Sequence, residues 1–390
     1  RIQKSKQNYD GTAVEGIEDC LKTLEDILLP RVTDKSQSVR QSAIQAVGQL
    51  LAACSILRPE NCSGTGSNKQ KITKEDSDND DVEEVDNETN AALECLLWSM
   101  WHDPSVANRA EAVLAVPISS STIDHIIARI RDTKEKVRVT ALDVLRSKVD
   151  PRTFLNVDHF CAIIQHGLTE RCEATKQAAI RLICTKWMKV ARFDPVELLR
   201  LMGATVNDEE CEKALKMVLH LARSGDHSVI SELSDPEIRE FCSNIDKSMV
   251  HLKDDNVVFD EYQLFYTRVA CSTAKESKDL TYVQKEDLLS KATPDIPTLC
   301  DVLQKHVIRL IESVHEADQE SEDQECFVCI QLLQLARVAG LQEEGSRRHF
   351  ANVMVKVLAC AETPDDLVEE CVEALRAAFD ENEFEFYNAV

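Results

Sequence analysis

Glycine and proline are scarce in this chain. Its 390 residues include 10 of each, about 5% together against a usual share of about 12%. Sandwiches, barrels and propellers need turn residues every few positions, so the depletion excludes them. Aromatic residues are only 5% although 43% of the chain is hydrophobic. Leu, Ala, Val, Glu and Lys dominate, which favours helices with light aliphatic interfaces. No apolar run reaches the ~18 residues of a membrane span, and no membrane role is expected. The chain opens at Arg1 without a signal-peptide pattern, and it reads as a fragment of a longer protein.

Motifs for chemistry are missing too. Gly64-Thr65-Gly66 has no preceding strand and no following Gly-Lys-Ser/Thr, so it is no phosphate loop. No nucleophile elbow occurs. Cys326 and Cys329, or Cys161 and His166, lack a second ligand pair, so no zinc or other metal site is expected. His159 and His166 read as surface or core histidines. The 15 cysteines are an odd number scattered along helical patterns, which fits a reducing compartment better than a disulfide framework. The chain is expected to be no enzyme, with no cofactor and no small-molecule substrate.

A repeat is present instead. Four acids, Asp34, Asp103, Asp132 and Glu170, are each followed six residues later by a cation: Arg40, Arg109, Arg138 and Lys176. Alanine comes three residues after each cation, at Ala43, Ala112, Ala141 and Ala179. Ile44, Val113, Leu142 and Ile180 follow directly, and Val47, Val116, Leu145 and Ile183 lie seven after the cation. Spacings of 3, 4 and 7 put one apolar stripe on one helix face. The acid precedes the second helix of a pair and the cation sits in its first or second turn. The default role of these acids and cations is a structural ladder of ion pairs between repeats. The intervals are 69, 29 and 38 residues, and 38 remain of the first when an insert at 61–91 is removed. A period near ~40 of paired helices is the HEAT or armadillo range. The predicted fold is an all-α solenoid, a superhelix of antiparallel helix pairs, with no sheet.

Downstream, Asp194-Pro195-Val196-Glu197, Ser234-Asp235-Pro236-Glu237 and Thr363-Pro364-Asp365-Asp366 mark helix starts, each with a cap, a proline and an acid. Further helices are expected near 211–223, 236–246, 297–315, 326–339, 347–361 and 364–379. Trp98 and Trp101 share a helix face and read as core or interface anchors. The insert carries nine acids within 75–88, and such a run is expected to be a disordered loop. The expected division is N-terminal repeats 1–60, acidic insert 61–91, repeats 92–192 and an acidic helical region 193–390.

Charge is unevenly spread. The total is −24, yet residues 129–192 carry +7. Such a cluster is either a surface for nucleic-acid phosphates or an ordinary solvated helix face. Lys148 and Lys186 fall near the apolar stripe and are expected to snorkel. The candidate DNA contacts are Lys134, Lys136, Arg146, Arg171, Arg181 and Lys189.

The succession Ile126-Ile127-Ala128-Arg129-Ile130-Arg131-Asp132 through Val137-Arg138-Val139-Thr140-Ala141 is the most distinctive stretch. It continues with Leu145, Lys148-Val149, Gly167-Leu168-Thr169-Glu170-Arg171 and Trp187, and is preceded by Glu111-Ala112-Val113-Leu114-Ala115-Val116. This order resembles the HEAT repeats of the G-type member of condensin, the non-SMC HEAT-repeat subunit of the condensin complex that pairs with the kleisin. The stretches 327–336 and 367–375 look like it as well, and the resemblance spans most of 15–380. It implies a non-catalytic scaffold for mitotic chromosome condensation. Such a scaffold grips an extended kleisin segment, binds double-stranded DNA with it, and meets the SMC subunits indirectly. The implied place is the nucleus and chromosomes, or the cytoplasm in interphase. A nuclear transport receptor or a phosphatase-type scaffold without DNA binding is the alternative.

Overall fold

The computed structural model describes residues 11–57, 83–225, 227–249, 259–278, 280–316, 318–341 and 343–379. Every regular element among them is a helix. The fold is an all-α HEAT-type solenoid, as the repeat frame predicts. The chain divides into two compact units, 1–182 and 183–390, short of the boundary expected at 192.

In the first unit the helix pairs are α1 (Gly11–Val32) with α2 (Gln37–Leu57), and α3 (Glu83–His102) with α4 (Val106–Ala115). They continue as α5 (Ile123–Ala128) with α6 (Glu135–Lys148). A short α7 (Pro151–Phe154) leads to the last pair, α8 (Val157–Leu168) with α9 (Glu173–Arg181). The second helices α2, α4, α6 and α9 each pack on the next. Their stripe is the core: Ile44, Val47, Ala112, Val113, Ala141, Leu142, Leu145 and Ala179 are buried, while Ile180 is half-buried. Small residues set the spacing between helices. A methyl on Gly48 of α2 would come within 2.6 Å of Ala115 on α4, and one on Gly167 within 2.7 Å of Ala179.

Each frame acid lies three residues before its helix, and each cation is the fourth helical residue. The reason is local. The carboxylate accepts a backbone N–H two residues on, from Ser36, Ser105, Lys134 or Cys172. This turn covers donors that the helix start leaves unpaired, with negative charge where the helix dipole favours it.

Two sequence expectations need correction here. Composition extends the acidic insert to 91, but α3 begins at Glu83. The helical cost of Asp86 and Asn87 is small enough for the apolar run beyond them to override. The part of the insert at 61–82 lies outside the described residues. Of the two readings of Trp98 and Trp101, core or interface anchors, the core one is excluded, since they are 49% and 38% exposed.

From the last residue of the first unit the chain runs through the π-helical turn Leu182–Trp187 into α10 (Met188–Val190) of the second. Arg192 and Phe193 follow, both left-handed with φ of 55° and 56°. Next come α11 (Pro195–Met202), α12 (Asp208–Ser224) and α13 (Asp235–Lys247). Then follow α14 (Glu261–Glu276), α15 (Tyr282–Ala292), α16 (Ile296–Glu316), α17 (Gln319–Ala339), α18 (Glu344–Leu358) and α19 (Asp365–Ala378). Asp194 caps α11 through the Val196 N–H at 2.9 Å, ahead of Pro195. α14 is the centre of this unit, packed against α11, α12, α15 and α17. Neither α14 nor α15 is expected from the sequence. The Arg268 side chain is buried on α14, held by Glu212 and by Gln331 at 2.9 Å.

Candidate functional site

The frame residues of the first unit meet across repeats. Arg40 binds the Asp103 carboxylate in a fork, 2.7 Å from Nε and 3.1 Å from Nη2. Arg109 does the same to Asp132 at 3.1 and 2.9 Å. Each arginine also donates Nη1 to the carbonyl of the acid six residues before it: Arg40 to Asp34 at 2.9 Å, Arg109 to Asp103 at 3.0 Å, Arg138 to Asp132 at 2.9 Å. One guanidinium therefore clamps its own turn and the next repeat's acid, a geometry suited to arginine's rigid fork.

Burial alone would favour the neutral forms of Asp103 and Asp132. Hydrogen bonds outweigh it and hold both carboxyls below the usual range. For Asp103 they come from Arg40, the Ser105 N–H and Asn108, and for Asp132 from Arg109 and the Lys134 N–H. The bond to Asp103 raises the pKa of Arg40 in turn.

The third rung is looser. Arg138 reaches Glu170 only through Nε at 3.4 Å, and the same Nε lies 3.4 Å from the Thr175 hydroxyl. Glu170 instead accepts the N–H groups of Cys172 and Arg171, which lower its pKa. Its side chain is 26% exposed, against 0% for Asp103 and 4% for Asp132. Lys176, placed in the ladder by its spacing, is exposed and has no ion-pair partner among the described residues. The carboxylate of Asp34 lies 4.0 Å from Arg31 and also feels the charge of Arg40.

The six candidate DNA contacts stand in different local settings. Lys134, Lys136 and Arg171 are exposed; the two lysines have no acidic partner among the described residues, and the charge of Arg171 acts on the adjacent Glu170. Lys134 stands at the cap of α6, Lys136 in its first turn, and Arg171 in the turn before α9. Arg146 is half-buried and 3.3 Å from Asp143, and Arg181 is half-buried. Lys189 belongs to the second unit, where its Nζ is 2.6 Å from Glu237. That bond, with the Ser234 N–H and hydroxyl, brings the Glu237 carboxyl down to about 2. Lys148 donates to the Leu114 carbonyl at 2.5 Å, which accounts for its place near the stripe.

Two cavities mark the first unit. The larger, about 920 Å³, runs along α5, α7 and α8 and includes Trp101, Ile127, Phe154 and Leu155. Arg129 stacks 3.5 Å above the Trp101 ring, whose Nε1 donates to His125 at 3.2 Å. His159 and Asp124 meet at 2.6 Å on one wall. The smaller cavity, about 350 Å³, lies beside the loose third rung, and Arg131 and His166 line both. The sequence shows Arg131 only as part of the basic stretch and gives no sign of a cavity, whose lining comes from two separate turns, 130–138 and 166–171. Among the described residues no group of three or more His, Cys, Asp or Glu could hold a metal ion.

A profile of the HEAT repeat matches residues 24–54, within α1 and α2. The chain is 23% identical over 370 residues to condensin complex subunit 3 of Schizosaccharomyces pombe, covering 94% of this chain and 35% of that protein. It is 24% identical to human condensin complex subunit 3 over 280 residues, 70% of this chain and 26% of that one. It also resembles a chain in the crystal structure of the S. pombe condensin Cnd3-Cnd2 subcomplex, with a TM-score of 0.66 and 22% identity. That match covers 98% of this chain and 41% of the other. These proteins carry the name subunit 3, where the sequence resemblance points to the G-type member of the same complex. The chain spans a quarter to about a third of the curated relatives it matches, and it is a HEAT-type α-solenoid similar to that part of condensin complex subunit 3.

Proposed function

We propose that the chain is part of a non-catalytic condensin scaffold that grips an extended kleisin segment and contributes to duplex DNA binding. The carrying observation is the likeness over 98% of the chain to a subunit crystallised in a condensin Cnd3-Cnd2 subcomplex. Stacked helix pairs offer a long surface to an extended partner, and such a partner orders on binding and covers a large area. ATP hydrolysis belongs to other subunits, and the SMC subunits are met through the kleisin. The place of action is the chromosome, in the nucleus.

DNA binding rests on charge. Lys134 and Lys136 are exposed at the start of α6 without acidic partners among the described residues. Nothing there resembles an array for reading bases, so contact is to phosphates and without sequence preference. The test uses the full-length protein with a kleisin. Co-purification is expected, with salt-dependent binding to duplex DNA. Replacing Lys134 and Lys136 by glutamate should weaken that binding and flatten the slope of log K against log salt by about 2, since each phosphate neutralised adds about 0.9. Failure to co-purify with any kleisin would refute the scaffold reading. An unchanged slope in the folded double variant would remove these lysines from the DNA surface.

A further inference from the structure

The recess beside the third rung is lined by Arg131, Asp132, Arg138, His166, Glu170 and Arg171 among others. Its two acids are already engaged. Asp132 accepts from Arg109 and from the Lys134 N–H, with Arg129 at 3.4 Å. Glu170 accepts from two backbone N–H groups and faces Arg138. The other charged groups are donors. Arg131 is exposed and has no acidic partner among the described residues, and Arg171 is exposed with only the adjacent Glu170 as an acidic neighbour, a carboxylate that already accepts two backbone N–H groups. His166 is half-buried; burial first, and the nearby charge of Arg131 second, lower its pKa. The charge of Arg131 therefore reaches the imidazole. Two guanidinium forks converging on a recess of this size suit a tetrahedral oxyanion, which accepts paired hydrogen bonds from arginine.

The surroundings say which oxyanion. Arg131 and His166 also form part of the larger cavity, whose walls include Ile127, Phe154 and Leu155 and the carboxylates of Asp124 and Asp158. A duplex presents a continuous line of phosphates, and it has no use for apolar walls and is repelled by those acids. A single phosphate carried on a side chain can enter the recess while neighbouring residues lie in the groove. We propose that the recess seats the phosphate of a phosphoserine or phosphothreonine in an extended partner segment, with an apolar residue of that segment in the groove beside Phe154. This inference is independent of kleisin and DNA binding.

The test is retention of a degenerate peptide library on the immobilised full-length protein, with a fixed central phosphoserine or, in the control, serine. Selective retention of the phosphorylated library is expected, with apolar residues enriched at one offset from the phosphate. Arg131→Ala and Arg171→Ala should each lower affinity for a recovered peptide about tenfold, the loss of a charge-assisted bond. Both residues are exposed, so the helical circular dichroism should be unchanged. Lys134→Ala, outside the recess, should leave peptide affinity unaltered. Equal retention of both libraries, or affinity indifferent to both arginine variants, would overturn the proposal. Competition by duplex DNA that depends on Arg131 and Arg171 would assign the recess to nucleic acid and overturn it as well.

Discussion

Arg109 binds both oxygens of Asp132, at 3.1 and 2.9 Å, while its remaining terminal nitrogen donates 3.0 Å to the carbonyl of Asp103. The rung before it has the same form and the rung after it does not. Stability should follow that difference. Arg40→Ala would strand the Asp103 carboxylate, whose side chain is 0% exposed, and should cost about 3 kcal/mol, as for other broken buried pairs. Arg138→Ala also loses the bond to its own turn at the Asp132 carbonyl, but across the repeat only long contacts to Thr175 and a part-exposed Glu170, and should cost less, about 1–2 kcal/mol. Urea denaturation of the two variants measures both. Equal losses would show that the fork geometry adds nothing.

Acid should loosen the first unit. Burial opposes ionisation of Asp103 and Asp132, but their hydrogen bonds win and their folded pKa values lie below the usual carboxylate range. A lowered folded pKa gives stability that is full above the unfolded value, about 3.9, and is lost as pH falls through the folded value. The midpoint of thermal unfolding should therefore drop below about pH 4. Asp103→Asn, which has no charge to titrate, should show a lower midpoint at pH 7 and a shallower fall in acid. A steeper fall in that variant would reverse the sign of the argument.

Gly48→Ala should destabilise the chain even though alanine is the better helix former by about 1 kcal/mol. The new methyl would lie 2.8 Å from the Ala115 carbonyl oxygen and 2.9 Å from its Cα. Backbone cannot step aside as a side-chain tip can, and overpacking of this kind costs about 1–3 kcal/mol. Gly345→Ala is the control, since a methyl there meets nothing within 4 Å. Calorimetry should show a lower midpoint for the first and an equal or higher one for the second.

Arg192→Gly should raise stability by about 0.5 kcal/mol. A left-handed non-glycine residue costs about 1–2 kcal/mol, and the extra freedom of glycine in the unfolded chain returns part of that. Phe193 has nearly the same φ but is only 5% exposed. Phe193→Gly should lose its packing and destabilise by about 3 kcal/mol or more. Denaturant midpoints moving in the same direction for both variants would contradict this account.

The starts of α2, α4, α6 and α9 are legible in the sequence because the acid acts locally, on an N–H two residues away. That the ion pairs run between repeats is legible too, but not which neighbour serves which cation: Arg40 takes the acid of the next repeat. Helix α14 is hidden as well, because Leu264 through Cys271 are all buried. A helix covered on every side has no polar face, and the period by which helices are read disappears. The candidate cations are visible as charge, but not as a surface. Lys189 and Lys134 share a basic stretch of chain, yet one faces Glu237 and the other has no acidic partner among the described residues. The recess is illegible because its lining, Ile130 to Arg138 and His166 to Arg171, is gathered only by folding.

The double grip of each frame arginine makes neighbouring repeats thermodynamically dependent on one another. Arg109 fastens the turn that contains Asp103, and Asp103 is what Arg40 holds. Melting one turn thus removes an anchor from the joints on both sides, so cooperativity passes along the array as in a linear chain of coupled spins. Coupling should be tight from α2 to α6 and weakest at α9, behind the two long contacts of Arg138 to Glu170 and Thr175. Local opening in the first unit would then begin at α9, and hydrogen exchange would report the α9 amides as the earliest to open among the four second helices.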